Sequence, residues 1–534
     1  MRADRMTLPL YAAAAADTPS FFRRGRRQIM LLMLAALYGV AMAYLPPQLV
    51  VLPMIPIIVL LLLILWMLPD RATFPERGLE QSFSWFVALY YLWPSYIAIA
   101  LPGLPWFSAG RIALLVLMVI ALYSLATSSV FRRQMFVTAQ ASKTVWTLFL
   151  VQLGAQAVPL LLSSTPFAVL THFANNQMYW TALFFIGCFL FVTPGRATRF
   201  AALFVGLAIF LSLFGVLEHY QERLIWAGHI PSFLKVDNDR LLDIVMSGQA
   251  RDFFGGYRVH STFTVSLLFA EFLSLALPFL LHWLVTGKSR WLRFGMMLGW
   301  VPIALCILYT DSRLGKIGFI VAHVGYALIW GLRRRSRNPG FLSTAVVAGF
   351  PVVAAMGLTL MFASHRVHVA IMGSEGYTAS NDARYEQVAM GIPKILANPL
   401  GYGAGSAGYI LGYTSPGGQL TIDSQYLKTT LEFGVIGALA IYAMFLWAAW
   451  LGLRLYFRAN EREIELAGPA GLMLLSYVVI KGVLAEDYNY TLAYLGVAMV
   501  LALLARSAAA ATTVPQPAAV PFAVRRRLSD ARTG

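Results

Sequence analysis

Charged side chains are scarce: Asp, Glu, Lys and Arg make up 12% of the 534 residues, where a soluble globular chain carries about a quarter. That scarcity excludes a water-soluble globular protein. Cysteine is nearly missing too. Cys188 and Cys306 both fall in apolar segments, which excludes a disulfide framework and reads as two buried free thiols. No set of His and Cys has the spacing of metal ligands, so neither a metal nor another cofactor is read. A cleavable signal is also lacking: Ala12 to Ala16 is too short, and Arg23-Arg24-Gly25-Arg26-Arg27 follows it. Residues 1–27 read as a cytoplasmic N-terminal tail.

Apolar residues are abundant, 59% of the chain, and they come in repeated runs long enough to span a bilayer. The expected fold is an all-α polytopic membrane protein of about 14 transmembrane helices (12–14). The spans are 28–46, 49–68, 82–101, 110–129, 144–162, 178–194, 199–217, 263–286, 292–310, 314–332, 341–362, 431–453, 468–485 and 488–506. Each is a helix because backbone in hydrocarbon must satisfy its own hydrogen bonds. Pro53, Pro56, Pro94 and Pro278 lie inside spans and are expected to kink them.

The net charge of +17 raises the possibility of a nucleic-acid partner, but the placement of the basic residues excludes it. With the N-terminus cytoplasmic, most of the 41 basic residues fall in inside segments, among them Arg132-Arg133, Arg333-Arg334-Arg335-Arg337 and Arg525-Arg526-Arg527. That is the positive-inside pattern of a membrane protein, with contacts to anionic lipid. Two long loops then emerge outside, 218–262 and 363–430. The N-terminal helices occupy 28–194, a core occupies 195–506, and residues 507–534 form a basic tail expected to be disordered.

Three stretches hold polar and charged groups on that outer face. One is Gly256-Tyr257-Arg258-Val259-His260-Ser261-Thr262-Phe263. The second is the short turn Asp311-Ser312-Arg313-Leu314-Gly315-Lys316, whose charges must sit at the membrane edge. The third runs from Asn381 to Gly437. It opens as an amphipathic helix with Asn381 as N-cap and Tyr385, Val388, Ile392 and Leu396 at helical spacing. Asn398-Pro399 stops it, and Gly401, Gly403, Gly405 and Gly408 follow. Ionisable groups at such depth are costly, and they pair or line a polar cavity. Arg258 can instead snorkel to headgroups, and Asp311 can lock its turn by pairing with Arg313 or Lys316. The planar fork of arginine nonetheless matches diphosphate oxygens well.

In this order the pieces resemble the O-antigen ligase superfamily, which includes polysaccharide polymerases. They are Tyr257-Arg258 followed by Ser261-Thr262-Phe263, Asp311-Ser312-Arg313-Leu314-Gly315, Arg384 to Met390 with Asn398-Pro399-Leu400-Gly401-Tyr402-Gly403, and Asp423-Ser424-Gln425-Tyr426-Leu427 to Glu432-Phe433-Gly434-Val435-Ile436-Gly437. The likeness covers about residues 195–505. It implies a metal-independent membrane glycosyltransferase with a large helical periplasmic loop in a bacterial inner membrane. The implied donor is a glycan on undecaprenyl diphosphate, the acceptor a glycan or lipid, and a chain-length regulator a possible partner. Arg258 and Arg313 would hold the leaving diphosphate, while Arg384, Lys316, Asp311, His260 and Tyr402 would contact substrate.

Where the ligases carry a histidine taken as catalytic base, this chain has Asp423, which resembles the polymerase branch. Asp423 reads either as that base or as a helix N-cap before Tyr426. His260, His365 or His368 could stand in for it. Polymerisation of exopolysaccharide or O-antigen units is the favoured reading, and ligation to lipid A-core is the alternative within the superfamily. A lipid-linked glycan flippase is the rival of another class, and it calls for charge near the bilayer midplane and two related halves.

Overall fold

The computed structural model describes residues 74–100, 106–163, 165–236, 257–363, 378–415 and 420–513, with isolated positions outside these stretches. The chain divides into residues 1–68 and 69–534, and the architecture below is that of the second unit. Apart from isolated positions, the expected spans 28–46 and 49–68 lie outside the described residues, as do His365 and His368.

The described chain is largely helical, and its two named strands, β1 (Ala98–Ile99) and β2 (Phe107–Ser108), are two residues each and pair antiparallel. In chain order the helices begin with α1 (Glu76–Leu92), α2 (Ala109–Thr127), α3 (Ser129–Ala139) and α4 (Lys143–Leu162). Next come α5 (Pro166–Asn176) and α6 (Leu183–Phe191), joined by a π-helical segment, Gln177–Ala182. Then follow α7 (Arg196–Gln221), α8 (Ser266–Thr286), α9 (Arg290–Tyr309), α10 (Arg313–Arg337) and α11 (Phe341–Ala363). The chain closes with α12 (Thr378–Ala397), α13 (Ala407–Leu411), α14 (Gln425–Arg458), α15 (Ala467–Lys481) and α16 (Tyr490–Thr513). Among the described residues, nine helices are long and apolar enough to cross a membrane.

Serine starts many of these helices. Ser108, Ser128, Ser142, Ser289 and Ser312 each accept a hydrogen bond from a first-turn amide of the helix that follows. Each thereby satisfies a donor that would otherwise lack a partner. The boundaries depart from expectation in four places. Helix α1 ends at Leu92 rather than crossing to 101, because Pro94 cannot donate to a continuing helix. The expected span 178–194 is the far part of a longer α5–α6 unit that continues through the π-helical segment. Helix α16 runs on to Thr513, past 506. Helix α12 begins at Thr378, ahead of the expected cap Asn381, and its stripe of Tyr385, Val388, Ile392 and Leu396 faces outward.

Helix α8 is the centre of the bundle, with nearly every residue from Ser266 to His282 buried. Pro278 lies inside it without ending it. Glycines let neighbours approach: a Cβ on Gly315 would lie 2.8 Å from the Ala270 side chain, and one on Gly318 would lie 2.7 Å from Ser274. Small residues play this part between membrane helices because dispersion, rather than a hydrophobic gradient, holds the helices together. Both cysteines are free and buried.

The two ends of the bundle differ in charge. At one end arginines meet acids: Arg196 with Glu76 at 2.6 Å and Glu80 at 2.9 Å, Arg333 with Glu465 at 2.7 Å, and Arg506 with Glu463 at 2.6 Å. The opposite end gathers the three polar stretches.

Candidate functional site

Arg258 is carried on an irregular strap between α7 and α8, and a single carboxylate shapes that strap. Glu218, buried near the end of α7, accepts from the Tyr257 hydroxyl at 2.8 Å and the His260 amide at 3.0 Å through Oε1. Its Oε2 accepts from the Ser261 amide at 2.7 Å. Ser261 sits at φ 51°, a left-handed conformation that a non-glycine residue holds only when its surroundings over-determine it. The strap is pinned further by Val259 N–H donating to Tyr309 O at 3.2 Å and by the Thr262 hydroxyl donating to Tyr91 O at 2.6 Å.

This folding buries Arg258 to 6% exposure and lets its Nε donate to Thr310 O at 2.9 Å. Snorkelling to headgroups therefore does not describe it. Thr310 begins the tight turn that leads to Arg313, the first residue of α10, so both arginines serve one turn. Asp311 holds φ 42°, Ser312 caps α10 through the Gly315 amide at 3.2 Å, and Lys316 Nζ lies 3.3 Å from Asp311 Oδ1. The Asp311–Lys316 pair locks the turn. His260, expected to touch substrate, is fully buried. Its ring nitrogens face Phe263 O at 2.7 Å and Val245 O at 3.1 Å, so it braces the strap.

The glycine-rich loop has a structural task that the sequence hides. Helix α14 is broken at Gly434, with φ 71° and ψ 175°. The break frees backbone groups, and the loop takes them up. Tyr402 N–H donates to Leu431 O at 2.8 Å, Gly403 N–H to Glu432 O at 2.9 Å, and Val435 N–H to Pro399 O at 3.1 Å. A Cβ on Gly434 would sit 2.4 Å from Pro399 O, and one on Gly401 would sit 2.5 Å from Glu432 O. Gly434→Ala is therefore expected to destabilise by about 2–4 kcal/mol, combining left-handed strain with a backbone clash. A fall in the detergent-solubilised melting temperature, together with low membrane yield, checks this. Glu432 is buried and accepts from the Gly405 and Ala407 amides, anchoring the loop. The Tyr402 hydroxyl donates to Lys394 O at 2.9 Å, so within the protein it ties the loop to α12. Tyr409 stands 80% exposed on the same loop.

Asp423 lies just before α14. Ser424, not Asp423, occupies the N-cap position, so helix capping is not its task. Its amide donates to Gln387 Oε1 at 2.8 Å, and its Oδ2 lies 3.9 Å from Arg384 Nε. Asp423 and Arg384, expected on separate grounds, are thus brought together across α12 and α14.

A second layer was only partly legible in the sequence. Lys428 pairs with Asp487 at 2.5 Å, and Gln425 donates to the same carboxylate at 2.7 Å. Burial pushes the Asp487 carboxyl up, but Lys428 and the Gln425 amide outweigh it and hold the pKa below the usual carboxylate range. Lys481 pairs with Glu271 at 2.9 Å, both fully buried, and Asn489 donates to Glu271 Oε2 at 2.8 Å. One signal was available: Lys481 and Glu271 are ionisable groups inside apolar runs, which demand a partner. Glu218 offered none, being a loop-edge acid by sequence.

Beside this layer opens a cavity of about 300 Å³, at the lower edge of small-molecule sites. Aromatic walls (Tyr90, Trp93, Tyr179, Trp180, Tyr488) alternate with polar groups (Arg111, His172, Asn175, Asn176, Glu486, Asp487). The π-helical segment supplies Tyr179 and Trp180, in keeping with the use of such bulges at functional positions. Flat apolar rings interleaved with hydrogen-bonding groups suit a saccharide. Among the described residues, no three of His, Cys, Asp and Glu converge as metal donors.

Residues 297–442 match the family model described as O-antigen ligase. The match bears out the resemblance to the O-antigen ligase and polymerase superfamily. The ligase-family segment runs from within α9 to just past the break in α14. It contains Arg313, Lys316, Arg384, Tyr402 and Asp423, whereas Arg258 and the cavity residues lie outside it. No curated protein matches the chain.

Proposed function

We propose that the chain is a membrane glycosyltransferase that polymerises exopolysaccharide or O-antigen repeat units on the periplasmic face of a bacterial inner membrane. The donor is a glycan on undecaprenyl diphosphate and the acceptor a second glycan. One observation carries the reading: Arg258 is buried against the turn that begins α10 with Arg313, on the same end of the bundle as the ligase-family loop.

The chemistry follows from that arrangement. The bond between the anomeric carbon and the diphosphate oxygen breaks, and the leaving group gains negative charge. Fixed guanidinium groups stabilise this charge more than they stabilise the bound donor, which lowers the barrier. An acceptor hydroxyl oxygen forms the new bond to the anomeric carbon and gives its proton to a base. Asp423 is the carboxylate assigned to that step, with Arg384 beside it at 3.9 Å to orient it. Arg384, Lys316 and Tyr402 are the remaining candidates for contact with the donor or acceptor, and no metal is required. An acid where the ligases have histidine supports polymerisation over ligation. A chain-length regulator would act on this enzyme from outside the site.

Asp423→Asn keeps the shape and the Gln387 hydrogen bond but cannot take a proton. A loss of about 10²–10⁴ in transfer rate with unchanged melting is expected, and full activity would remove Asp423 from the base role. The product in a deletion strain tests the whole reading. Single lipid-linked repeat units on the periplasmic side are expected. Long unligated chains would mark a ligase instead, and units trapped on the cytoplasmic side a flippase.

A further inference from the structure

We propose that the end of the bundle opposite the transfer site holds the headgroup of an anionic phospholipid between α10, α11 and α14. A cavity of about 650 Å³ opens there, lined by Arg333, Arg334, Arg337, Gly340 and the first turn of α11, Phe341 to Ser343. The three guanidinium groups face one carboxylate, Glu465, so positive charge is in excess. Arg333 Nη2 reaches Glu465 Oε1 at 2.7 Å and Ala459 O at 2.9 Å. Its side chain is only 8% exposed, yet among the described residues its Nε has no hydrogen-bond partner. The Arg333 guanidinium also lies over the Tyr456 ring, its Cζ 4.3 Å from the centroid, which fixes its charge against the cavity wall. Arg334 is stacked on Trp330, its Cζ 5.3 Å from the ring centroid, which holds the charge at the rim. Arg337 reaches Ala459 O and Asn460. Helix α11 is 23 residues long and directs the positive end of its dipole into the same space.

The ligand is an amphiphile because the cavity continues into apolar surface. Phe341 is 91% exposed and Leu342 53% at its mouth, and Val352 and Met356 continue the exposed apolar surface along α11 at 65% and 57%. An acyl chain lying on that track leaves its phosphate at the arginines. This place is distinct from the transfer site. Arg313 and Arg333 are separated along α10 by about 30 Å at a helical rise of about 1.5 Å per residue, so the inference stands without the reading proposed above.

Native mass spectrometry of the delipidated full-length protein tests it, with phosphatidylglycerol, phosphatidylcholine and inorganic phosphate as separate probes. Retention of one phosphatidylglycerol in preference to phosphatidylcholine is expected. Arg334→Gln with Arg337→Gln should weaken that retention about tenfold or more through loss of charge-assisted hydrogen bonds. Phe341→Ser should weaken the lipid but not phosphate. If the double variant does not fold, Arg334→Gln alone, whose guanidinium rests on an indole ring, provides the same comparison. Equal retention of the two lipids, undiminished phosphatidylglycerol on a folded arginine variant, or inorganic phosphate binding as tightly as phosphatidylglycerol would each overturn the proposal.

Discussion

Replacing Arg313 or Arg258 with lysine is expected to lower glycan transfer by about 10²–10³, the scale of removing one preorganised donor from a developing charge, while the protein still accumulates in the membrane. Lysine keeps the charge, so a site needing only a positive field would tolerate it. A planar guanidinium presents paired donors that a diphosphate can bridge, and an ammonium cannot reproduce them. The two positions should nonetheless differ. Arg258 is buried with its Nε committed to Thr310 O, so its loss also loosens the turn, and Arg258→Ala should add a fall in melting temperature. Arg313 begins a helix that Ser312 already caps, so its replacement leaves the start of α10 capped. Chain length on a polysaccharide gel, read beside membrane yield and melting temperature, separates these effects. Normal product length in both lysine variants would remove the clamp.

The second large effect concerns stability. Lys481→Met strips Glu271 of a partner where both are fully buried, and breaking such a pair costs about 3–5 kcal/mol because the remaining charge stays desolvated. Loss of most of the membrane-inserted protein is the expected outcome. Combining it with Glu271→Gln should recover much of that loss, since no uncompensated charge remains and Asn489 can still hydrogen-bond the amide. Equal yields for the single and double variants would show that the pair is not what holds α8 to α15. The pair also bears on function, because α8 carries the Arg258 strap at its start and α15 leads into Glu486 and Asp487.

The apolar spans were legible because the bilayer's demand on backbone hydrogen bonds leaves only helix, and serine N-caps mark many of their starts. The order of Arg258, Arg313, Arg384 and Asp423 along the chain was legible too, and so was the end of the bundle they share. Other features were not. An apolar run such as Phe433 to Gly437 reads as unbroken helix; the break at Gly434 exists because a loop some thirty residues earlier in sequence supplies the hydrogen bonds that the broken turn gives up. The long-range partners of Tyr402 and His260 were not legible, because polar residues in a glycine-rich or loop setting carry no sign of them. The Tyr402 hydroxyl donates to Lys394 O, and the ring nitrogens of His260 face the Phe263 and Val245 carbonyls. Glu218 is the converse case: an acid at the edge of the expected 218–262 loop is the group that folds the strap.

The most direct measurement is transfer by the purified protein from a synthetic glycan on undecaprenyl diphosphate, in chelator and detergent, following product length and released lipid diphosphate together. The account expects glycan chains to lengthen with one undecaprenyl diphosphate released per unit added, and both signals to collapse in Arg313→Lys. Release without lengthening, or relocation of intact lipid-linked units across a vesicle membrane with no transfer, would contradict it.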